Sequence, residues 1–223
     1  DIWRVQGAFF RLNYDYRSKY LLEVNGRYDG SSKYAKHDRW AFFPSASVGW
    51  RISEEKFFKS LSKVVDNLKI RASIGALGNQ ITDGNHSFMS IISGKVLTNY
   101  MMDGKIVNGL NIPTLPSMVT WEKVITKDIG LDWSLFKNRL FGSFDFYVRD
   151  TKDMVRSVTL PAVLGTSGGK ENIADMRTVG WELEMTWKDR IQNVLGSPLD
   201  YSLTVGLSDY QAEITKYDNP NGS

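Results

Sequence analysis

The chain of 223 residues has two histidines, His37 and His86, and neither stands in an HExxH or comparable metal-ligand spacing. It has no cysteine, which excludes a thiolate zinc site, a cysteine nucleophile and a disulfide scaffold. The stretch LGTSGGKE at 164–171 looks like a phosphate loop but lacks its essentials. Leu164 stands where the leading glycine belongs, and Lys170 is followed by Glu171 rather than the hydroxyl residue that would hold magnesium. Carboxylates come in close pairs, Glu182 with Glu184 and Asp128 with Asp132. A glycosidase needs its two carboxylates opposed across a sugar cleft, and same-face neighbours on a strand do not supply that. No catalytic residue, cofactor site or metal site is therefore expected, and the reading turns to binding.

The elements that carry these side chains alternate with period two. Ala8, Phe10, Leu12, Tyr14 and Tyr16 share one parity, with Arg11, Asn13 and Asp15 on the other. The same pattern runs through Leu22–Asp29, Phe42–Ile52, Leu68–Ala76, Ile129–Leu135, Leu140–Arg149, Val179–Trp187 and Tyr201–Ser208. About eight antiparallel strands are expected, each with one apolar and one charged or small face. The polar faces bring together Arg11, Arg27, Arg71, Asp128, Asp132, Asp145, Arg149, Glu182 and Glu184, forked donors and acceptors suited to a polar solute or to a solvated wall.

Two architectures fit such strands. A soluble β-sandwich packs its apolar faces against each other, whereas a transmembrane barrel turns them to lipid and keeps water inside. Sandwich strands run about five or six residues, and a tilted membrane strand needs roughly nine to eleven. Several runs here sustain ten or more. No stretch approaches the roughly 18 consecutive apolar residues of a spanning helix. Trp40 and Trp50 share a parity and would lie roughly 25 Å apart along a membrane normal, about the height of an outer-membrane apolar band. Trp121 and Trp133 repeat the pattern, and one of Trp181 and Trp187 can do so. Tyr14, Tyr16, Trp40, Trp50, Trp133 and Trp181 are thus expected at the membrane interfaces. Lys123 and Lys127 fall on the apolar parity, which implies a bulge, a shifted register or snorkelling.

The connections alternate in length. Arg17–Lys19 and Lys137–Arg139 are tight, and Ser53–Asn67 contains a helix-like run with Phe57, Leu61, Val64 and Val65 on one face. Long polar connections are expected near 30–39, 80–118 and 152–178, the asymmetry of a barrel with short turns on one side and external loops on the other. In the second of these, Phe88, Tyr100, Met101 and Met102 are the candidates for touching a lid protein or solute. With 28 basic against 25 acidic side chains, the net charge of +3 gives no sign of a nucleic-acid partner. The first residue, Asp1, and the closing YDNPNGS read as cuts through a longer chain.

Residues 11–58 carry, in order, R-x-N-Y-D-Y, K-Y-L-L-E, R-x-D-G-S-S and F-F-P-S-x-S-x-G-W-R-I-S-E-E. LKIRASIGALGNQ follows at 68–80, WEKVITKDIGLDWSLFKNRL at 121–140 and GWELEMTW at 180–187. Together they resemble the barrel of SusC/RagA-type TonB-linked outer-membrane transporters. That resemblance implies a barrel of about 22 strands filled by a plug, a SusD-type surface lipoprotein as lid, and TonB-driven import of glycans, peptides or other large nutrients through the outer membrane of a Gram-negative bacterium. The plug, the TonB-contacting segment and an accessory domain have no counterpart here. Lys127 and Thr178 depart from the family's aromatic and Asn at those positions. Gly26, Gly49, Gly75 and Gly142 lie within strands, where a missing side chain permits bending and close approach. The alternatives are a β-sandwich carbohydrate-binding module and a small self-contained outer-membrane barrel.

Overall fold

The computed structural model describes residues 2–80, 96–110, 119–161, 163, 168–194 and 197–218. Eight strands form one continuous antiparallel sheet. In chain order they are β1 (Val5–Tyr16), β2 (Tyr20–Ser31), β3 (Trp40–Arg51), β4 (Val65–Asn79), β7 (Glu122–Leu135), β8 (Leu140–Ser157), β9 (Lys170–Val194) and β10 (Ser197–Tyr217). Each pairs with the strand before and after it in that order, so the sheet is a simple meander. A separate hairpin of β5 (Val96–Met102) and β6 (Lys105–Leu110) stands apart, within the stretch expected as loop. Its short apolar runs are bounded by a turn at Asp103 and Gly104, both with positive φ, which is ordinary hairpin chemistry.

Alternation and register agree along most of the sheet, with shifts between Val65 and Asn67, Thr151 and Val155, Ser197 and Leu199, and Ile214 and Lys216. From Tyr16↔Tyr20 to Val5↔Ser31, β1 and β2 pair without a break, and their turn holds Arg17 and Ser18 at φ 55° each. The Lys19 amide closes the turn on the Tyr16 carbonyl at 3.0 Å, and the Ser18 amide donates to the Asp15 carboxylate at 2.7 Å. Phe136, Lys137 and Asn138 make a comparable left-handed turn between β7 and β8. The helix-like run after β3 forms two short 3-10 helices, Ile52–Glu54 and Lys56–Ser60, anchored by buried Phe58. Strands β8 and β9 extend well into 152–178, with β8 reaching Ser157 and β9 beginning at Lys170, so the connection there is shorter than the sequence suggests.

Burial separates the two architectures. Every strand of the sheet has at least 12 residues, and no second sheet packs against it among the described residues. Large apolar side chains that a sandwich would bury are open on one face. Phe10, Leu12, Tyr14, Phe42, Val48, Trp50, Ile74, Ile129, Phe146 and Leu203 are between 38 and 64% exposed. The sandwich reading fails on this point, because an uncovered apolar face of this extent needs another medium or partner. The buried cluster is small and lies at the end of the long connections, where Tyr34, Phe43, Val119, Trp121 and Val155 pack together. Trp121 is 3% exposed, its ring 5.0 Å from Tyr34 and 5.5 Å from Phe43, and its indole N–H donates to the Arg39 carbonyl at 3.2 Å. It shares Trp133's parity but not its surroundings, and is a core residue rather than an interface one.

Candidate functional site

The charged face is organised around Arg71 of β4. Register places Arg71 beside Gly130 of β7, and Gly130 beside Asp145 of β8. Because Gly130 has no side chain, the guanidinium passes over the backbone of β7 and reaches Asp145 at 2.5 Å. A Cβ at Gly130 would fall 2.5 Å from the Arg71 Cζ and 2.5 Å from the Asp145 Oδ1. The same guanidinium meets Asp132 at 3.1 Å and Asp128 at 3.3 Å, and Lys69 adds a second cation on Asp132 at 3.1 Å. One arginine thus ties three carboxylates from two strands, each pair partly screened from water. Each of its three nitrogens meets a carboxylate, which makes it a brace of the wall rather than an open anion site.

By register the remaining wall candidates share this face. Glu182 stands opposite Asp145, and Glu184 opposite Ser143, continuing the acidic row onto β9. Arg149 lies over the Tyr147 ring at 5.4 Å. Nearer β1, Arg11 donates to Asn25 at 2.8 Å and lies 3.8 Å from Glu23, while Arg27 holds Asp29 at 2.5 Å. Shallow depressions line this side. One of about 580 Å³ has Glu23, Ser47, Lys69, Arg71 and Asp128 in its wall, and one of about 810 Å³ has Arg11, Asn25, Arg27, Asp29, Phe43 and Trp121. Lys69, Gly130, Asn25 and Glu23 were missing from the candidates drawn from sequence. Their parity was visible, but their partners depend on cross-strand register.

The opposite face shows what Lys123 and Lys127 do. The β4–β7 and β7–β8 registers are unbroken there, so no bulge turns them inward. By alternation both keep the apolar parity, Lys127 between Ile74 and Val148 with its amine 3.8 Å from Asp150. The expected interface aromatics lie on this face as well. Tyr14, Tyr16, Trp40 and Trp50 are exposed, Trp133 and Trp181 half-buried, and Tyr28 stacks on Trp40 at 5.1 Å.

At the short-turn end, Glu55 gathers the first hairpin. It accepts from Lys19 at 3.0 Å, from the Tyr20 hydroxyl at 2.8 Å and from the Trp50 indole at 3.4 Å. The Lys19 and Tyr20 hydrogen bonds hold its carboxyl below the usual carboxylate range.

Of the loop candidates, Met101 is 72% exposed on β5. Tyr100 and Met102 lie on the same strand, but their side chains are outside the described residues, as are Phe88 and His86 entirely. His37 sits in the β2–β3 connection, 2.7 Å from Asp38. No cluster of three or more metal-ligating side chains occurs among the described residues.

Residues 3–223 match the family model described as TonB dependent receptor-like, beta-barrel. The chain is 31% identical over 212 residues to TonB-dependent receptor P26 of Formosa agariphila, and 30% identical over 200 residues to TonB-dependent receptor SusC of Bacteroides thetaiotaomicron. These alignments take in 95% and 88% of this chain but 21% and 20% of those proteins, so the chain spans about a fifth of the length of the curated relatives it matches. Among solved structures, the RagAB peptide importer in its open-open state aligns with a TM-score of 0.77 and 28% identity, over 99% of this chain and 24% of that one. The FrpB iron transporter of Neisseria meningitidis shares the fold, with a TM-score of 0.59 at 12% identity over 96% of this chain and 26% of that one.

Proposed function

Because the chain belongs to the TonB dependent receptor-like β-barrel family and its sheet is part of such a barrel, we propose that it forms wall in an outer-membrane importer of large nutrients. The apolar face meets lipid and the Arg71 face lines the lumen. The observation that carries this reading is the two-sidedness of one unbacked sheet: large apolar side chains lie open on one side, and ion pairs link neighbouring strands on the other. TonB supplies the energy through a plug outside this chain, and a SusD-type surface lipoprotein closes the mouth. The name of the relative TonB-dependent receptor SusC supports the TonB dependence, and the likeness to SusC and to the RagAB peptide importer supports a partner of the SusD kind. The solute is an oligosaccharide or a peptide, molecules rich in hydroxyl or amide groups that suit a wall of arginines and carboxylates. The protein acts as a transporter and receptor rather than an enzyme, in the outer membrane of a Gram-negative bacterium.

Site-directed labelling tests the orientation. Single cysteines at Ser73 and Ser143 on the charged face, and at Ile129 and Phe146 on the apolar face, are introduced into the intact protein in a cysteine-free background. A water-soluble maleimide is expected to label the first pair, and brominated lipid to quench a fluorophore attached at the second. Equal aqueous labelling of all four positions would refute the reading.

A further inference from the structure

The outward face carries one local surplus of positive charge. Lys123 and Lys127 lie four residues apart on β7 with Ile125 between them, on the face that holds Ile74 and Ile129. Lys123 stands directly opposite Lys152 of β8, and like charges so placed destabilise an antiparallel pair. The anions nearby are already engaged. Asp150 accepts from Arg177 at 2.7 Å, with the Lys127 amine farther off at 3.8 Å, and Asp175 takes Lys152 at 2.7 Å. Lys127 keeps 57% of its side chain exposed. Lys123 is exposed, and among the described residues it has no ion pair or hydrogen bond.

We propose that Lys123 and Lys127 bind the phosphate of an anionic lipid in the membrane leaflet at the long-connection end. The inference rests on the proposed reading that this face meets lipid. An unpaired ammonium against hydrocarbon is costly, and a phosphate provides the counter-charge that Asp150 and Asp175 do not. Ile125, Ile74 and Ile129 offer the adjoining acyl chains an apolar seat. The competing arrangement, in which both lysines reach water unaided, needs no particular headgroup.

The intact protein in nanodiscs of phosphatidylcholine with a minor fraction of phosphatidic acid provides the test, read by native mass spectrometry of retained lipid. Phosphatidic acid is expected to be retained over phosphatidylcholine. The pair K123Q/K127Q should lower its affinity roughly 25-fold, while K123R/K127R, which keeps both charges, should retain it. Equal retention in the glutamine variant, loss in the arginine variant, or no preference for phosphatidic acid would overturn the proposal. The labelling experiment decides independently whether the face meets lipid, so failure here with success there removes the headgroup site alone.

Discussion

Replacing Gly130 by alanine tests whether the brace on the charged wall depends on a missing side chain. The new Cβ would stand 2.5 Å from the Arg71 Cζ and 2.5 Å from the Asp145 Oδ1, closer than atoms approach, yet both contacts are ends of side chains rather than backbone. The strand can therefore keep its register while the guanidinium moves aside. What is lost is the charge-assisted link to Asp145, about 1.5–3 kcal/mol when buried, taken here as about 2 because Arg71 is 31% exposed. Against it, removing a glycine from a strand returns about 0.5–1 kcal/mol of chain entropy. The expected net cost is about 1–1.5 kcal/mol, measured by guanidinium unfolding of the intact protein in detergent and followed by tryptophan emission. Gly49→Ala on the same face serves as comparison. Its Cβ would meet only the Lys69 Cε at 3.3 Å and Leu21 at 3.4 Å, so nothing is broken and the same entropy gain should leave it between neutral and about 1 kcal/mol more stable. The decisive measurement is the cycle with Asp145→Asn. In that background the Gly130→Ala cost should largely disappear, because the link it breaks is already weakened. An undiminished cost would show that alanine perturbs the backbone, and would refute the account of Gly130 as a passage for Arg71.

Glu55→Gln removes the acceptor that joins Lys19, Tyr20 and Trp50. The wild-type carboxyl titrates below its unfolded value, so its contribution is present above that value and is lost as the pH falls through the folded one. Wild type and variant should therefore differ in Trp50 emission near neutral pH and converge in acid. Ser18→Gly relieves a left-handed residue at φ 55° and should stabilise the first hairpin by about 1 kcal/mol in the same unfolding assay. Trp121→Ala empties the centre of the buried cluster and should cost about 3–5 kcal/mol. Limited proteolysis should then cut first in the 32–39 connection, whose Tyr34 loses its packing partner.

Parity in the sequence was enough to sort the strand residues onto two faces. Arg71, Asp128, Asp132 and Asp145 could all be assigned to one wall, since each strand's period is read from its own residues. Their grouping around Gly130 could not, because it depends on how β4, β7 and β8 are offset, a relation no single strand contains. Trp121 shows the limit of parity from the other side. Ten or twelve residues of spacing describe a girdle only while the strand stays in the apolar band, and Trp121 has already passed into the packed mouth beside Tyr34 and Phe43. Hairpin β5–β6 went unread for a different reason. Its strands of seven and six residues are short, and among the described residues no strand of the main sheet pairs with them. Lys127 was visible as an exception, but only the unbroken register turned it from a suspected bulge into an outward-facing amine.

The unbacked apolar face follows a substitution rule unlike that of a protein interior. In the row Leu12, Val24, Ala46, Ile74, neighbouring side chains differ widely in size, yet none interlocks with a partner across a core. Acyl chains are fluid and fill whatever relief such a surface presents. Exchanging large for small along that row should change little so long as each residue stays oil-soluble, whereas the same exchange at Phe43 or Trp121 opens a hole that nothing flows in to fill. The two ends of one strand, Phe43 in the packed mouth and Val48 on the open face, are therefore tuned to different currencies: fit at one, and solubility at the other.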